Sequence, residues 1–175
     1  CSNLWVLARG GYDAYGIDFS EKAIELGKEV LKRWDVTANN VLGNFRELPY
    51  ENKYFDAVFD ILTTHCQMES QFLTCIDEIK RVLKPGGSFL SFFPSANSDA
   101  FTNYQPAEKI EEFTLNGIKR KTSPYYGNFH PFHFMFPKKY KSVLEERNFK
   151  VTHLEVIRRT YQNMKESFET ISIVG

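Results

Sequence analysis

Apolar positions along this chain recur at two periods that alternate. Leu4, Leu7 and Ala8 fall on one helical face, and Gly10-Gly11 stops that helix because glycine accepts the left-handed terminal conformation. Tyr15 and Ile17 mark a short strand ending at Asp18. Ser20 then caps a predicted helix whose Ala23, Leu26, Val30, Leu31 and Trp34 repeat at helical spacing, with Glu21 well placed against the dipole in its first turn. A weak strand is predicted over residues 38–43 and a stronger one over 55–62. The next helix carries Phe72, Cys75, Ile76, Ile79 and Leu83 on one face, and Lys84-Pro85-Gly86-Gly87 ends it. Residues 88–93 make another buried strand. Strands and helices joined this closely predict an α/β fold, with a mostly parallel sheet covered by helices on both faces.

The pattern breaks between residues 94 and 137. Residues 111–115 and 118–122 flank Asn116-Gly117, a pair suited to the positive φ angles of a tight hairpin turn, so an inserted hairpin is predicted there. The following SPYYGNFHPFHFMF, rich in aromatics, histidine and proline, is too irregular for a sheet strand and too apolar for a solvated loop; it reads as a lid or pocket wall. A helix over 138–147 buries Tyr140, Val143 and Leu144. Two further strands, 150–158 and 167–174, have a joint too short for a parallel crossover and are predicted to be antiparallel neighbours.

Composition narrows the partners. At 175 residues, 42% apolar and 15% aromatic, one domain over 1–175 is expected, with the hairpin and lid inserted at about 95–136. Twenty-two basic and twenty-two acidic residues leave no net charge, which argues against general attraction to nucleic acid or an anionic membrane and favours a small molecule. The longest apolar runs are strand-sized, so no transmembrane helix is expected. Cys1, Cys66 and Cys75 are odd in number with no Cys-x-x-Cys spacing, which speaks against a disulfide framework or zinc site and for a reducing, cytoplasmic setting. His130 and His133 stand close together, but zinc needs three or four ligands, so no metal is expected.

Asp18 raises the main chemical question. In an open parallel sheet, ligands sit at the C-terminal strand ends, where a carboxylate accepts from both hydroxyls of a ribose. The alternative is that Asp18 only begins the next helix, although Ser20 is the better cap. Three segments, LARGGYDAYGIDFSEKAIELGKEV, GNFRELPYENKYFDAVFD and EIKRVLKPGGSFLSFFP, in this order and followed by the terminal strand pair, resemble the class I S-adenosylmethionine-dependent methyltransferases, especially the small-molecule type. The resemblance implies a doubly wound, Rossmann-like sheet with an antiparallel last strand. It also implies that Asp18 binds the cofactor's ribose, that Phe19 lies beside the adenine, and that Asn44 and Phe45 form the second adenine contact. Ile61, Leu62 and Thr63 would border the methionine part. Asn44 departs from the aspartate common there and accepts only through its amide oxygen, without charge assistance. Asp56 and Asp60 read as structural or cofactor-edge groups rather than a catalytic pair. The family's first strand and glycine-rich loop belong just before Asn3 or over Cys1-Ser2 and are absent. A missing central strand would leave two unpaired edges, and the sequence opens without a methionine, so further sequence is expected before Cys1.

With that cofactor, in-line displacement of the sulfonium methyl group by a small-molecule acceptor requires alignment, exclusion of water and sometimes a base. His65, just after the strand bordering the transferable methyl, and His130 and His133 in the insertion are the candidate bases. Tyr125, Tyr126, Phe129 and Phe132 are candidates to face the positive charge, with plain packing as the alternative for each. Lys119, Arg120 and Lys121 fit a solvated hairpin edge or an anionic substrate. Two rival readings stay open: an NAD-dependent oxidoreductase, since Asp18 suits that ribose equally, and a non-catalytic binding or regulatory module on the same fold.

Overall fold

The computed structural model describes residues 3–175. The position expected for the glycine-rich loop, and Cys1 itself, lie outside them. The chain divides into two compact units, Cys1–Pro49 and Tyr50–Gly175.

In the first unit, helix α1 (Leu4–Arg9) precedes strand β1 (Tyr15–Asp18), helix α2 (Glu21–Arg33) and strand β2 (Asn39–Leu42). The two strands run parallel, in register from Tyr15↔Asn39 to Asp18↔Leu42, as a strand–helix–strand crossover requires. Ser20 caps α2 by accepting from the Ala23 amide at 3.3 Å. The buried face of α2 is Ile24, Gly27 and Leu31; of the predicted stripe only Leu31 is fully buried, while Leu26 is 52% exposed. Apolar residues of α2 occupy two adjacent stripes, and the narrower i, i+3, i+7 stripe is the one buried. Trp34 instead stacks on Trp5 with centroids 4.3 Å apart.

The second unit holds β3 (Phe55–Ile61), α3 (Glu69–Val82), β4 (Leu83–Pro94), α4 (Asp99–Thr102), β5 (Lys109–Glu111), β6 (Thr114–Leu115), β7 (Phe132–His133), α5 (Pro137–Glu145), β8 (His153–Tyr161) and β9 (Glu166–Val174). Its main sheet has the order β3-β4-β9-β8. Strands β3 and β4 are parallel, and β9 runs antiparallel to both its neighbours. The result is the α/β, Rossmann-like architecture with an antiparallel final strand. One core packs Phe72, Ile76 and Ile79 of α3 against Phe89 and Phe93 of β4, Tyr140 and Leu144 of α5, and Ile171 and Ile173 of β9. A second gathers Phe101, Leu115, Ile118, Phe132, Phe134 and Phe168.

Three local expectations are corrected. Lys84-Pro85-Gly86-Gly87 does not separate helix from strand: α3 gives way at once to β4, and the four residues form an irregularity between the pairs Phe55↔Leu83 and Ala57↔Ser88. The inserted hairpin turns at Glu112-Phe113, not Asn116-Gly117, because β5 pairs with β6 through Glu111↔Thr114. Residues 118–122 form no strand; the third strand of that small sheet is β7, inside the segment that looked too irregular for one.

Candidate functional site

At the end of β1 the half-buried Asp18 turns the chain into α2. Its Oδ1 accepts from the Ser20 amide at 2.9 Å, a local turn that leaves Oδ2 without a partner among the described residues. Phe19 is 67% exposed and meets Phe45 edge-to-face, with centroids 5.7 Å apart. Just past β2, Asn44 Oδ1 accepts from the Arg46 amide at 3.0 Å and from its Nε at 3.3 Å. The amide oxygen that was to receive an adenine amine is therefore already engaged twice. The first unit thus brings together a half-free carboxylate and two aromatic rings.

In the second unit, the end of β3 is organised by Asp60, which is 3% exposed. Its Oδ1 accepts from the amides of Thr63 (3.2 Å) and Thr64 (3.1 Å), and its Oδ2 from Thr64 Oγ1 (2.6 Å) and Ser91 Oγ (3.2 Å). Tyr140 donates in turn to Ser91 Oγ at 2.7 Å. Burial raises the Asp60 pKa, and these hydrogen bonds oppose the rise. The bonds hold a tight bend in which Leu62 has φ +53°, a conformation that disfavours a bulky side chain. Ile61 and Leu62 are half-buried there and Thr63 is exposed. Asp56, by contrast, is exposed and paired with Lys84 at 2.8 Å.

His65 and His133 are both buried, and the His133 amide donates to the His65 carbonyl at 2.8 Å. The His65 ring packs against Phe132, with centroids 4.4 Å apart. Burial first, and the neighbouring His133 second, lower its pKa to about 3. Burial lowers His133 to about 4, against the pull of Glu111. Both rings are therefore neutral at pH 7. Thr114 Oγ1 lies 2.7 Å from Glu111 Oε2 and 2.7 Å from His133 Nδ1. The hydroxyl has one proton, which it donates to the carboxylate, so it accepts from His133 Nδ1–H. That assigns the lone pair to His133 Nε2, an atom buried without a partner among the described residues, as is His65 Nδ1. The chain His133–Thr114–Glu111 ends on the Glu69 amide, which donates to Glu111 Oε2 at 2.8 Å.

Of the other candidates, His130 and Tyr126 are exposed. Phe129 is exposed, Phe132 is buried and Tyr125 is half-buried against Phe168. Arg120 is no free hairpin charge; its guanidinium is bound to Glu166, which is 1% exposed, at 2.8 Å. Burial raises the Cys66 thiol, and Cys75 is a fully buried core residue. Among the described residues no group of three or more His, Cys, Asp or Glu side chains could hold a metal, and no helix is long and apolar enough to cross a membrane. Sequence reasoning missed the roles of Thr64, Ser91 and Tyr140 around Asp60, and of Glu111 and Thr114 behind His133. An Asx-type spacing from Asp60 to Thr63 and Thr64 was the available local signal.

Residues 2–91 match the family described as a methyltransferase domain. Demethylmenaquinone methyltransferase of Bacillus mycoides is 27% identical over 169 residues, an overlap of 93% of this chain and 60% of that protein. The chain therefore spans about 60% of the length of that curated relative. Among solved structures, an S-adenosylmethionine-dependent methyltransferase from Methanosarcina mazei superposes with a TM-score of 0.77 at 20% identity, covering 97% of this chain and 84% of that one. The 1,6-didemethyltoxoflavin-N1-methyltransferase of Burkholderia thailandensis, solved with 1,6-didemethyltoxoflavin and S-adenosylhomocysteine bound, gives 0.65 at 14% identity, covering 95% and 62%.

Proposed function

Because the chain belongs to the methyltransferase domain family, the class I S-adenosylmethionine-dependent group, we propose that it acts in methyl transfer from S-adenosylmethionine to a small-molecule acceptor. Demethylmenaquinone and 1,6-didemethyltoxoflavin, the compounds named for two of its relatives, are both small molecules. The observation that carries the reading is the end of β1: Asp18 keeps one carboxylate oxygen free beside the exposed Phe19 ring, which suits a ribose and an adenine face. In this assignment Asp18, Phe19 and Phe45 of the first unit hold the nucleoside and Asn44 contributes at most a weak polar contact; for the second unit, the family resemblance alone assigns Ile61, Leu62 and Thr63 to the methionine part.

When bound, the cofactor supplies a methyl group already activated on a sulfonium. The protein's share is to align the acceptor, exclude water and, where the acceptor carries a proton, remove it. His130 and Tyr126, being exposed, are the groups that would meet an acceptor arriving from water. His133 offers a lone pair on Nε2, but a basicity lowered to about 4 suits only an acidic acceptor proton. His65, lower still, would serve as a neutral wall of the site. We read 1–175 as one methyltransferase domain whose insertion, about 95–136, supplies the acceptor side.

Calorimetric titration with S-adenosylhomocysteine, with NAD as control, tests the cofactor class. Asp18→Asn keeps the acceptor for the Ser20 amide but removes the charge, and should weaken binding by about 10- to 100-fold. Unchanged affinity would remove the ribose assignment, and binding of NAD alone would overturn the proposal.

A further inference from the structure

Strand β8 is an edge strand guarded against pairing only by the charges of Glu155, Arg158 and Arg159. Among the described residues it pairs with β9 alone, in unbroken register from His153↔Val174 to Tyr161↔Glu166. Its sequence, HLEVIRRTY, contains no proline or lysine, and no bulge twists it away. Both faces are open: Val156 is 44% exposed and Ile157 48%. Such an edge presents a row of free amides and carbonyls to any strand that fits it.

We propose that the strand that fits is β8 of a second copy of this chain, paired antiparallel about a two-fold axis at Ile157. Glu155 stands two residues before that centre and Arg159 two after. Two-fold pairing therefore sets Glu155 of each copy directly opposite Arg159 of the other, at the separation of about 5 Å typical of facing side chains. Residues 155, 157 and 159 share a face, so the two ion pairs flank an Ile157–Ile157 contact. Within one chain neither charge has a strong partner: Glu155 lies 3.5 Å from His153, and Arg159 sits over the Tyr161 ring at 5.5 Å. Arg158, opposite Val156 in this register, is already held 3.4 Å from Glu169. Centring the axis on Val156 or on Arg158 puts Glu155 opposite Ile157 or Tyr161 and loses both pairs. The charge pattern thus selects one register, and the interface is isologous and closed, as two-fold symmetry requires.

Sedimentation velocity over a concentration series of the whole chain tests this, with the exposed positions keeping charge variants folded. The wild type should dimerise, more weakly in high salt. E155R and R159E each set like charges opposite one another twice and should raise the dimer dissociation constant by about tenfold or more. The double swap E155R/R159E restores opposite charges and should restore the dimer. A wild type that stays monomeric throughout, single swaps that dimerise as it does, or a double swap that fails to recover would each overturn the proposal.

Discussion

Replacing Asp60 tests whether one carboxylate organises the end of β3. In Asp60→Ala, four donors lose their acceptor: the Thr63 and Thr64 amides, Thr64 Oγ1 and Ser91 Oγ. Thr64 is 4% exposed and Ser91 is fully buried, so water cannot readily replace what is lost there. At about 1 kcal/mol per lost partner the gross loss is about 4 kcal/mol. Removing a buried carboxylate offsets part of it, leaving about 2–4 kcal/mol. Asp60→Asn keeps an oxygen for the two amides and an amide group that the two hydroxyls can accept from, so it should cost about 1 kcal/mol or less at neutral pH. The pH dependence separates the two effects. Burial raises the folded pKa above the ordinary 3.8. The folded state then holds its proton more tightly than the unfolded chain, and the carboxyl's contribution falls as pH rises from about 3.8 through the folded value. The advantage of wild type over Asp60→Asn should therefore shrink with rising pH in that window. Urea denaturation of the three proteins from pH 4 to 7 measures both quantities. An alanine variant within about 1 kcal/mol of wild type, or a wild-type-to-asparagine gap that widens with pH, would refute the reasoning.

The two buried histidines act in the opposite sense. Their folded pKa values, about 3 and about 4, lie below the ordinary 6.5, so stability present above pH 6.5 is lost as pH falls, by about 1.4 kcal/mol per unit and per histidine. His65→Phe should flatten that slope by about half, and denaturation midpoints at pH 4.5, 5.5 and 6.5 with an unchanged slope would contradict it. Gly117→Ala should cost about 2 kcal/mol or more in a thermal melt, because φ is +110° and the new Cβ would stand 2.5 Å from the Asn128 carbonyl oxygen. Gly127→Ala, at φ +95° with open space around it, should cost less; equal losses would mean that the close approach at Gly117 is not what matters.

The alternation of strands and helices was legible because each buried element imposes its own period on the chain. Phe72, Cys75, Ile76 and Ile79 sit on the buried face of α3 as their spacing indicates, and the short joint after Tyr161 does make β8 and β9 antiparallel. What escaped was set by partners distant in sequence. Strand β7 is two residues long and exists because Thr114 and Leu115 pair with it. The Asn116-Gly117 pair meets the rule for a hairpin turn, yet Ile118 donates instead to the Asn128 carbonyl at 2.7 Å, and that contact takes the glycine's conformational freedom for itself. The Asp60 cluster draws on residues 63, 64, 91 and 140, and only the first two are near enough to suggest each other. At β1 the strand, the cap and the carboxylate are contiguous, which is why Asp18 stood out.

Strand β9 also governs when the second unit can form. It fills the sheet between β4 and β8, sends Ile171 and Ile173 into one core and Phe168 into the other, and through Glu166 receives Arg120 from 46 residues upstream. On a ribosome adding about 5–20 residues per second, β4 waits several seconds with one edge open and both cores unsealed. The unit therefore closes in one late step, and a nascent chain stalled before Glu166 presents a bare strand edge and phenylalanine-rich surfaces for a chaperone to hold.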